Sequence, residues 1–306
     1  MERISSGLSY VDVGFQNVPR IVAAGVVHGD GGVALIDPGP TSTLPTLEAQ
    51  LIAAGIGIED VIVVLLTHIH LDHAGGTGTL IARNPRIAVY VQETGAQHLV
   101  NPEKLLASLT RLLSGEGTER IWGEVQPVPP SSIRPLSGGE DIEAGGRRFN
   151  VAYTPGHASH HVSYFDRGSG VAFVGDVAGM QLTPGGYLLP PTPPPDIDLE
   201  LWRASLARVA QWGPERLFLT HFGPAVDVGK HLGEVANNLD VAGRLVLASL
   251  ERDGNDADRE AWYIDEVRRT LLQSMSENEV RAYDTAGRLD WNWRGLARYF
   301  RKQQTR

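Results

Sequence analysis

The chain has 306 residues and a mass of 33.1 kDa, with 36 acidic against 27 basic side chains and a formal net charge of -9. Hydrophobic residues make up 42% and charged residues 21%, which is globular composition and excludes global disorder. There is no cysteine, so disulfides, thiolate metal sites and a cysteine nucleophile are all excluded, and any metal must sit on nitrogen and oxygen donors. Residues 1–225 carry 22 acids against 14 bases, the wrong sign for a nucleic-acid groove, so no nucleic-acid partner is expected. The first twenty residues hold no apolar run long enough for a secretory segment, and nowhere do 18 apolar residues follow one another. A cytoplasmic protein with no membrane partner is expected.

In chain order, residues 20–28 and 32–37 are short β-rich runs separated by a Gly-Asp-Gly-Gly turn. After the Pro38-Gly39-Pro40 breaker, Leu44, Leu47, Leu51 and Ile52 fall at helical spacing and Gly55 ends the helix. Residues 60–66 are a continuous apolar strand of the kind buried on both faces. A helix starts near Asp72, 86–92 is a strand, and 93–114 reads as one long helix. From 140 to 176 the pattern is all β. The Pro-rich stretch 184–195 is too stiff for a central strand or helix. A helix over 198–212, a strand over 216–220 and helices beyond Val228 complete the chain. The expected architecture is α+β: two sheets face to face with helices outside, over 1–225, then a helical extension over 226–306. The extension's apolar stripe, including Leu232, Val235 and Leu239, fits a cap, a pocket wall or a homodimer interface. The basic cluster Arg294, Arg298, Arg301, Lys302 and Arg306 reads as a solvated helix face.

The chemistry is concentrated in Thr67-His68-Ile69-His70-Leu71-Asp72-His73. At a strand end His68 and His70 point to one side, because the side-chain period is two. At the following helix start, Asp72 and His73 can face the same space from another direction. Two donor pairs aimed at one cavity suit two metal ions, and a chance match to His-x-His-x-Asp-His has a probability below about one in a thousand. His157, Asp176 and His221 each follow an apolar strand, where loops build sites.

This series resembles, in order and spacing, the ligand set of the metallo-β-lactamase fold superfamily, over residues 20 to about 225. The resemblance implies a four-layer αββα sandwich with the metal site at one rim. It places one metal on His68, His70 and His157, a second on Asp72, His73 and His221, and Asp176 between them. Asp37 and His161 would support these ligands from behind, with Asp72 and Asp176 as the catalytic carboxylates. Two divalent ions per chain are expected, zinc first, with iron and manganese admissible for the same donors. A hydroxide bridging the ions would then attack a small ester, thioester or lactone. Glyoxalase II-like relatives carry Gly-His-Thr-x-Gly-His where this chain reads Gly156-His157-Ala158-Ser159-His160-His161, so His160 replaces a glycine and becomes a pocket-wall or surface residue. Lactonases of the family often place a tyrosine soon after the bridging Asp, whereas Val177-Ala178-Gly179-Met180 follows here. A mononuclear-iron persulfide dioxygenase and a phosphodiesterase are the alternatives on the same motif. Met180 and Tyr187, on the Pro-rich loop, are expected to line the pocket of a small-molecule substrate.

Overall fold

The computed structural model describes residues 1–113 and 117–305. The first sheet contains β1 (Glu2–Ser5), β2 (Leu8–Asp12), β3 (Ala23–Gly29), β4 (Gly32–Ile36), β5 (Val61–Leu65), β6 (Ala88–Gln92) and β7 (Ile133–Leu136), neighbours in that order. Its first four strands are antiparallel, and β4 to β7 run parallel. Between them come α1 (Leu44–Ala53), α2 (Leu71–Ala74), α3 (Thr77–Arg83), α4 (Glu93–Val100), α5 (Glu103–Leu112) and α6 (Thr118–Trp122). The second sheet holds β8 (Asp141–Ala144), β9 (Arg147–Tyr153), β10 (Val162–Asp166), β11 (Val171–Phe173), β12 (Arg216–Leu219) and β13 (Gly223–Ala225), in the spatial order β13-β12-β11-β10-β9-β8. Helix α7 (Leu199–Gln211) precedes β12, and α8 (Val228–Leu250), α9 (Asp256–Leu271), α10 (Glu277–Gly287) and α11 (Leu289–Gln304) close the chain.

Three apolar clusters explain the layering. One lies between the sheets, where Leu8, Tyr10, Phe149, Tyr164, Phe173 and Phe218 interdigitate. A second fills the far side of the first sheet under α1, α3 and α5, with Leu47, Val64, Leu80 and Leu109 among its members. The third joins the far side of the second sheet to α7–α11 through Val174, Trp202, Leu239, Tyr263 and Leu296. Burying the two faces of each sheet on different partners gives the four-layer αββα sandwich, extended by C-terminal helices on the second sheet's side. The end of β13 and the start of α8 fall either side of residue 226. No helix among the described residues is long and apolar enough to cross a membrane.

Some elements differ from expectation. The helix expected over 93–114 is two helices, broken at Asn101-Pro102: the proline has no N–H to donate, and Asn101 adopts an extended backbone. Asn101 Oδ1 instead accepts from the Glu103 N–H at 3.1 Å, starting α5. Ser114, the expected last residue, lies outside the described residues, as does Arg306 of the basic cluster. In that cluster Arg294 forms a two-point ion pair with Glu260 (2.7 and 3.0 Å) and Arg301 pairs with Asp256, while Arg298 is exposed. Strands β1, β2, β7 and β13 have no counterpart in the sequence reading.

The segment from Val177 through the Pro-rich stretch is irregular, and side chains of α7, α8 and α11 satisfy its backbone, as buried peptide groups require. Trp202 Nε1 donates to Val177 O (2.7 Å), Asn238 Nδ2 to Leu188 O (2.8 Å), and the Thr192 N–H to Asn292 Oδ1 (2.8 Å). Gly295 lets α11 come this close, since a Cβ there would stand 2.0 Å from Thr192 O.

Candidate metal centre

Strand register assembles the site. Parallel pairing of β11 with β12 sets Phe173 opposite Phe218, so Asp176 and His221, each three residues further on, leave the sheet side by side. In the first sheet, Ile36 lies opposite Leu65, which brings Asp37 next to Thr67. Backbone hydrogen bonds then tie the two sheets at this rim: Ala23 N–H to Thr220 O and Val162 N–H to Thr67 O, both 2.8 Å. His157 comes from the loop after β9, His68 and His70 from the loop after β5, and Asp72 and His73 from α2. All seven expected ligand residues therefore meet, within two groups: His68, His70, His157 and Asp176, and Asp72, His73 and His221.

The imidazoles face one another with nitrogens. His68 Nε2 and His157 Nε2 stand 2.9 and 3.0 Å from His70 Nδ1, and His73 Nε2 stands 3.2 Å from His221 Nε2. Two nitrogens bound tetrahedrally to one zinc at about 2.05 Å would be about 3.3 Å apart, so the donor spacing already fits a metal of that size. Asp176 lies between the groups. Its Oδ2 is 3.3 Å from His157 Nε2, and its Oδ1 is 3.3 and 3.4 Å from His73 and His221 Nε2. Oδ1 is buried and makes no hydrogen bond to any described residue, the condition of an oxygen shaped to receive a cation.

The opposite ring nitrogens of His68, His73, His157 and His221 are anchored, which fixes ring orientation and aims the lone pairs inward. His157 Nδ1 donates to Pro191 O (2.8 Å), His221 Nδ1 to Ile21 O (2.5 Å), and His73 Nδ1 to Asp37 Oδ2 (2.8 Å). Fully buried Asp37 is the hub: it also accepts from the Thr67 N–H (2.8 Å) and the hydroxyls of Thr67 (2.7 Å) and Thr220 (2.8 Å). Having given its hydrogen to Asp37, the Thr67 hydroxyl can accept from His68 Nδ1, 3.1 Å away. His161 Nε2 accepts the Asp176 N–H at 3.3 Å while its Nδ1 meets Thr154 Oγ1 at 2.9 Å, so it holds the backbone of Asp176. Gly175, at φ +47°, is needed there: a Cβ would stand 2.5 Å from Thr67 Oγ1 and 2.7 Å from His161 Nε2.

Electrostatics divides the imidazoles. Burial, reinforced by neighbouring imidazoles, holds His68 and His161 well below the usual histidine range and His70 down to about 3. Burial also lowers His157. Burial opposes the charge on His73 too, but the carboxylates of Asp176, Asp37 and Asp72 outweigh it and raise His73 well above the usual value. His221 is raised against burial by Asp176 and Asp72 in the same way. Burial would raise Asp72 and Asp176, but the adjacent His73 and His221 keep both below the carboxylate range.

A cleft of about 720 Å³ opens over this floor, which His70, Asp72, His157, Asp176 and His221 line. Met180 is among the residues that line it. Tyr187 is not: it is half-buried against the apolar cluster of the C-terminal helices, and Tyr283 Oη of α10 donates to Tyr187 O (2.7 Å). His160 stands on the cleft wall, its ring stacked 6.2 Å from that of His68. Unforeseen walls come from α5 (Leu105, Leu109), α6 (Trp122) and the α10–α11 junction (Arg288, Trp291). Their sequence signal, apolar residues at helical spacing, does not distinguish a helix lining a cleft from one covering a core.

The family model of the metallo-beta-lactamase superfamily matches residues 17–221, two thirds of the chain and every donor described above. The chain belongs to the metallo-beta-lactamase superfamily. It is accordingly a metal-dependent hydrolase of that superfamily. It is similar to a metallo-beta-lactamase fold-containing protein of Sulfurisphaera tokodaii, 26% identical over 225 residues that span 71% of this chain and 78% of that one. A solved metallo-beta-lactamase family protein of Thermus thermophilus superposes with a TM-score of 0.71 at 24% identity, covering 99% of this chain and 95% of that one, so the likeness in fold includes the helical extension. A hydroxyacylglutathione hydrolase of Synechococcus is 30% identical over 143 residues, 47% of this chain and 42% of the hydrolase. The chain thus matches less than half the length of that relative.

Proposed function

We propose that the protein uses two divalent metal ions, zinc first, to hydrolyse a small ester, thioester or lactone, with glyoxalase II-like thioester hydrolysis first among these. The observation that carries the reading is the meeting of two donor groups at one unsatisfied carboxylate: Asp176 Oδ2 faces the His157 group and Oδ1 faces His73 and His221. Three donors on each side of Asp176 support two ions rather than the single iron of a dioxygenase. His68, His70 and His157 would hold one ion and Asp72, His73 and His221 the other. When bound, such a pair polarises a substrate oxygen and makes a water acidic near neutral pH.

The protein's own residues supply the rest. Asp72 has a side chain 30% exposed toward the cleft and is kept ionised by His73 and His221, so it can accept a hydrogen from an incoming water and orient its attack. Asp37 and the Pro191 and Ile21 carbonyls fix the tautomers of His73, His157 and His221, so that these rings stay turned toward the centre. We assign the extension, residues 226–306, to pocket-wall and cap duty, since the α10–α11 junction lines the cleft. The relatedness to hydroxyacylglutathione hydrolases supports the thioester over the other esters.

The test is a panel of thioesters, lactones, oxoesters and phosphodiesters offered to protein stripped with a chelator and then reloaded with zinc or manganese. Carboxyl-ester or thioester turnover that appears only on reloading supports the reading. Turnover confined to phosphodiesters, or none after reloading, contradicts it.

A further inference from the structure

The cleft walls carry information that the floor does not. On α5, Leu105, Leu109 and Leu112 recur at i, i+4 and i+7 and so form one stripe along the cleft's edge: Leu109 is buried in the cluster under the first sheet, while Leu105 and Leu112 are half-buried and line the cleft. Trp122 of α6 and Trp291 of α11 face the same space. The apolar surface that Leu105, Leu112 and Trp291 leave beside open volume favours an apolar occupant. A cleft of about 720 Å³ holds a ligand much larger than an acetyl or lactoyl group.

Charge on these walls runs against the charge of the molecule. The chain carries a net charge of -9, yet outside the donor cluster the charged residues lining the cleft are Lys104, Arg120 and Arg288 against Asp196. Arg288 is stacked over Trp291 at 4.1 Å and paired with Asp290, and Asp196 accepts from the Ser159 hydroxyl at 2.6 Å. Lys104 and Arg120 make no ion pair with any described residue; both are exposed, Lys104 on α5 beside the apolar stripe and Arg120 on α6 beside Trp122. A cation on an outer surface is ordinarily just solvated. Two on the wall of one cleft in an acidic protein concentrate anions there.

Resting on the hydrolase reading above, we propose that the substrate is a soluble amphipathic anion: an acyl ester or thioester whose apolar body lies along the α5 stripe and whose anionic group meets Lys104 and Arg120. Lys104, Arg120, Leu105 and Leu109 are then specificity-determining residues. The floor performs the cleavage, and these residues select what reaches it.

Binding without turnover tests this in the full-length, metal-loaded protein. n-Octanesulfonate and n-octyl glucoside share an apolar tail and differ in head charge, and neither carries an acyl bond. Titration calorimetry should find the sulfonate bound at least tenfold more tightly than the glucoside. The double variant K104Q/R120Q should remove most of that preference while leaving the glucoside unchanged. Shortening the tails to butyl should weaken both, by up to about fourfold per methylene, and Leu105→Gln, at a half-buried position that tolerates a polar side chain, should flatten that dependence. Equal affinity for the two heads, a preference that survives K104Q/R120Q, or affinity independent of tail length each overturns the proposal. Those results leave the hydrolase reading intact, whereas a protein that binds both probes as expected but cleaves no ester or thioester sinks that reading alone.

Discussion

The floor of the cleft and its walls are built by different means. On the floor, every donor leaves the end of a regular strand or the first turn of a helix, and the paired ends of β11 and β12 leave Asp176 and His221 no freedom of placement. The walls come from short helices, a Pro-rich loop and the start of α11, held by side-chain to backbone hydrogen bonds such as those of Trp202 and Asn292. A floor fixed by register preserves one chemistry; walls made of added segments can change substrate without disturbing it. Damage to the floor should therefore lower metal binding and rate together, while damage to the walls should alter recognition with the metal retained.

The largest effect is expected from Asp176→Ala, which removes the one group shared by both donor sets. Bound metal and hydrolysis should fall together, the rate by more than the roughly 100-fold that outer supports of a metal site typically contribute. Elemental analysis alongside steady-state kinetics checks this, and unchanged metal content in the variant would break the floor account. Asp37→Ala comes next: it leaves His73, Thr67 and Thr220 without their common acceptor and should cost about 10- to 100-fold in metal affinity or activity.

Asn292→Ala tests the junction between the two regions. It leaves the buried Thr192 N–H without a partner, at a cost of about 1–3 kcal/mol, and loosens the segment whose Pro191 carbonyl orients His157. A fall in Tm with a smaller fall in metal affinity is expected. If the affinity is untouched, wall and floor are more independent than the geometry indicates. The smallest effects separate two residues of one loop. Met180→Ala should change KM with metal content retained, whereas Tyr187→Phe, inside the helical core, should leave KM and kcat unchanged.

Stability against pH offers a separate check on the metal-free floor. His68, His157 and His161 are lowered and His70 lies at about 3, so below pH 6.5 the unfolded chain takes up protons that the folded chain refuses. Stability should therefore fall as the pH drops from 6.5 toward 3. His73 and His221 are raised, so their contribution is complete below 6.5 and is lost as the pH rises through their folded values. Chelator-treated protein should show a Tm maximum near neutrality; a flat profile from pH 4 to 9 would contradict the charge pattern described.

The same division explains what the sequence disclosed. The His68-to-His73 run is readable because six residues hold four donors, and His157, Asp176 and His221 are readable because each follows an obvious apolar strand. Strands β7 and β13 were hidden by Pro135 and Pro224, which sheets tolerate at their edges, where both strands lie. β1 and β2 are four and five residues long with mixed polarity, too short for a period to stand out. The wall residues had no local signal of function. Leu105 and Leu109 look like any amphipathic helix, Lys104 and Arg120 look solvated, and Tyr187 reads as a loop residue until α10 is seen to hold its backbone. Which face of a helix meets a cleft depends on contacts between segments distant in the chain, such as α11 with the Pro-rich loop.

The most direct test of the central claim is the metal content of untagged protein purified without added metal, measured by elemental analysis for the wild type and for His73→Ala. The two-ion floor predicts about two ions per wild-type chain, zinc or manganese, and a variant that keeps one of them on His68, His70 and His157. A single iron per wild-type chain, retained in His73→Ala, would contradict it.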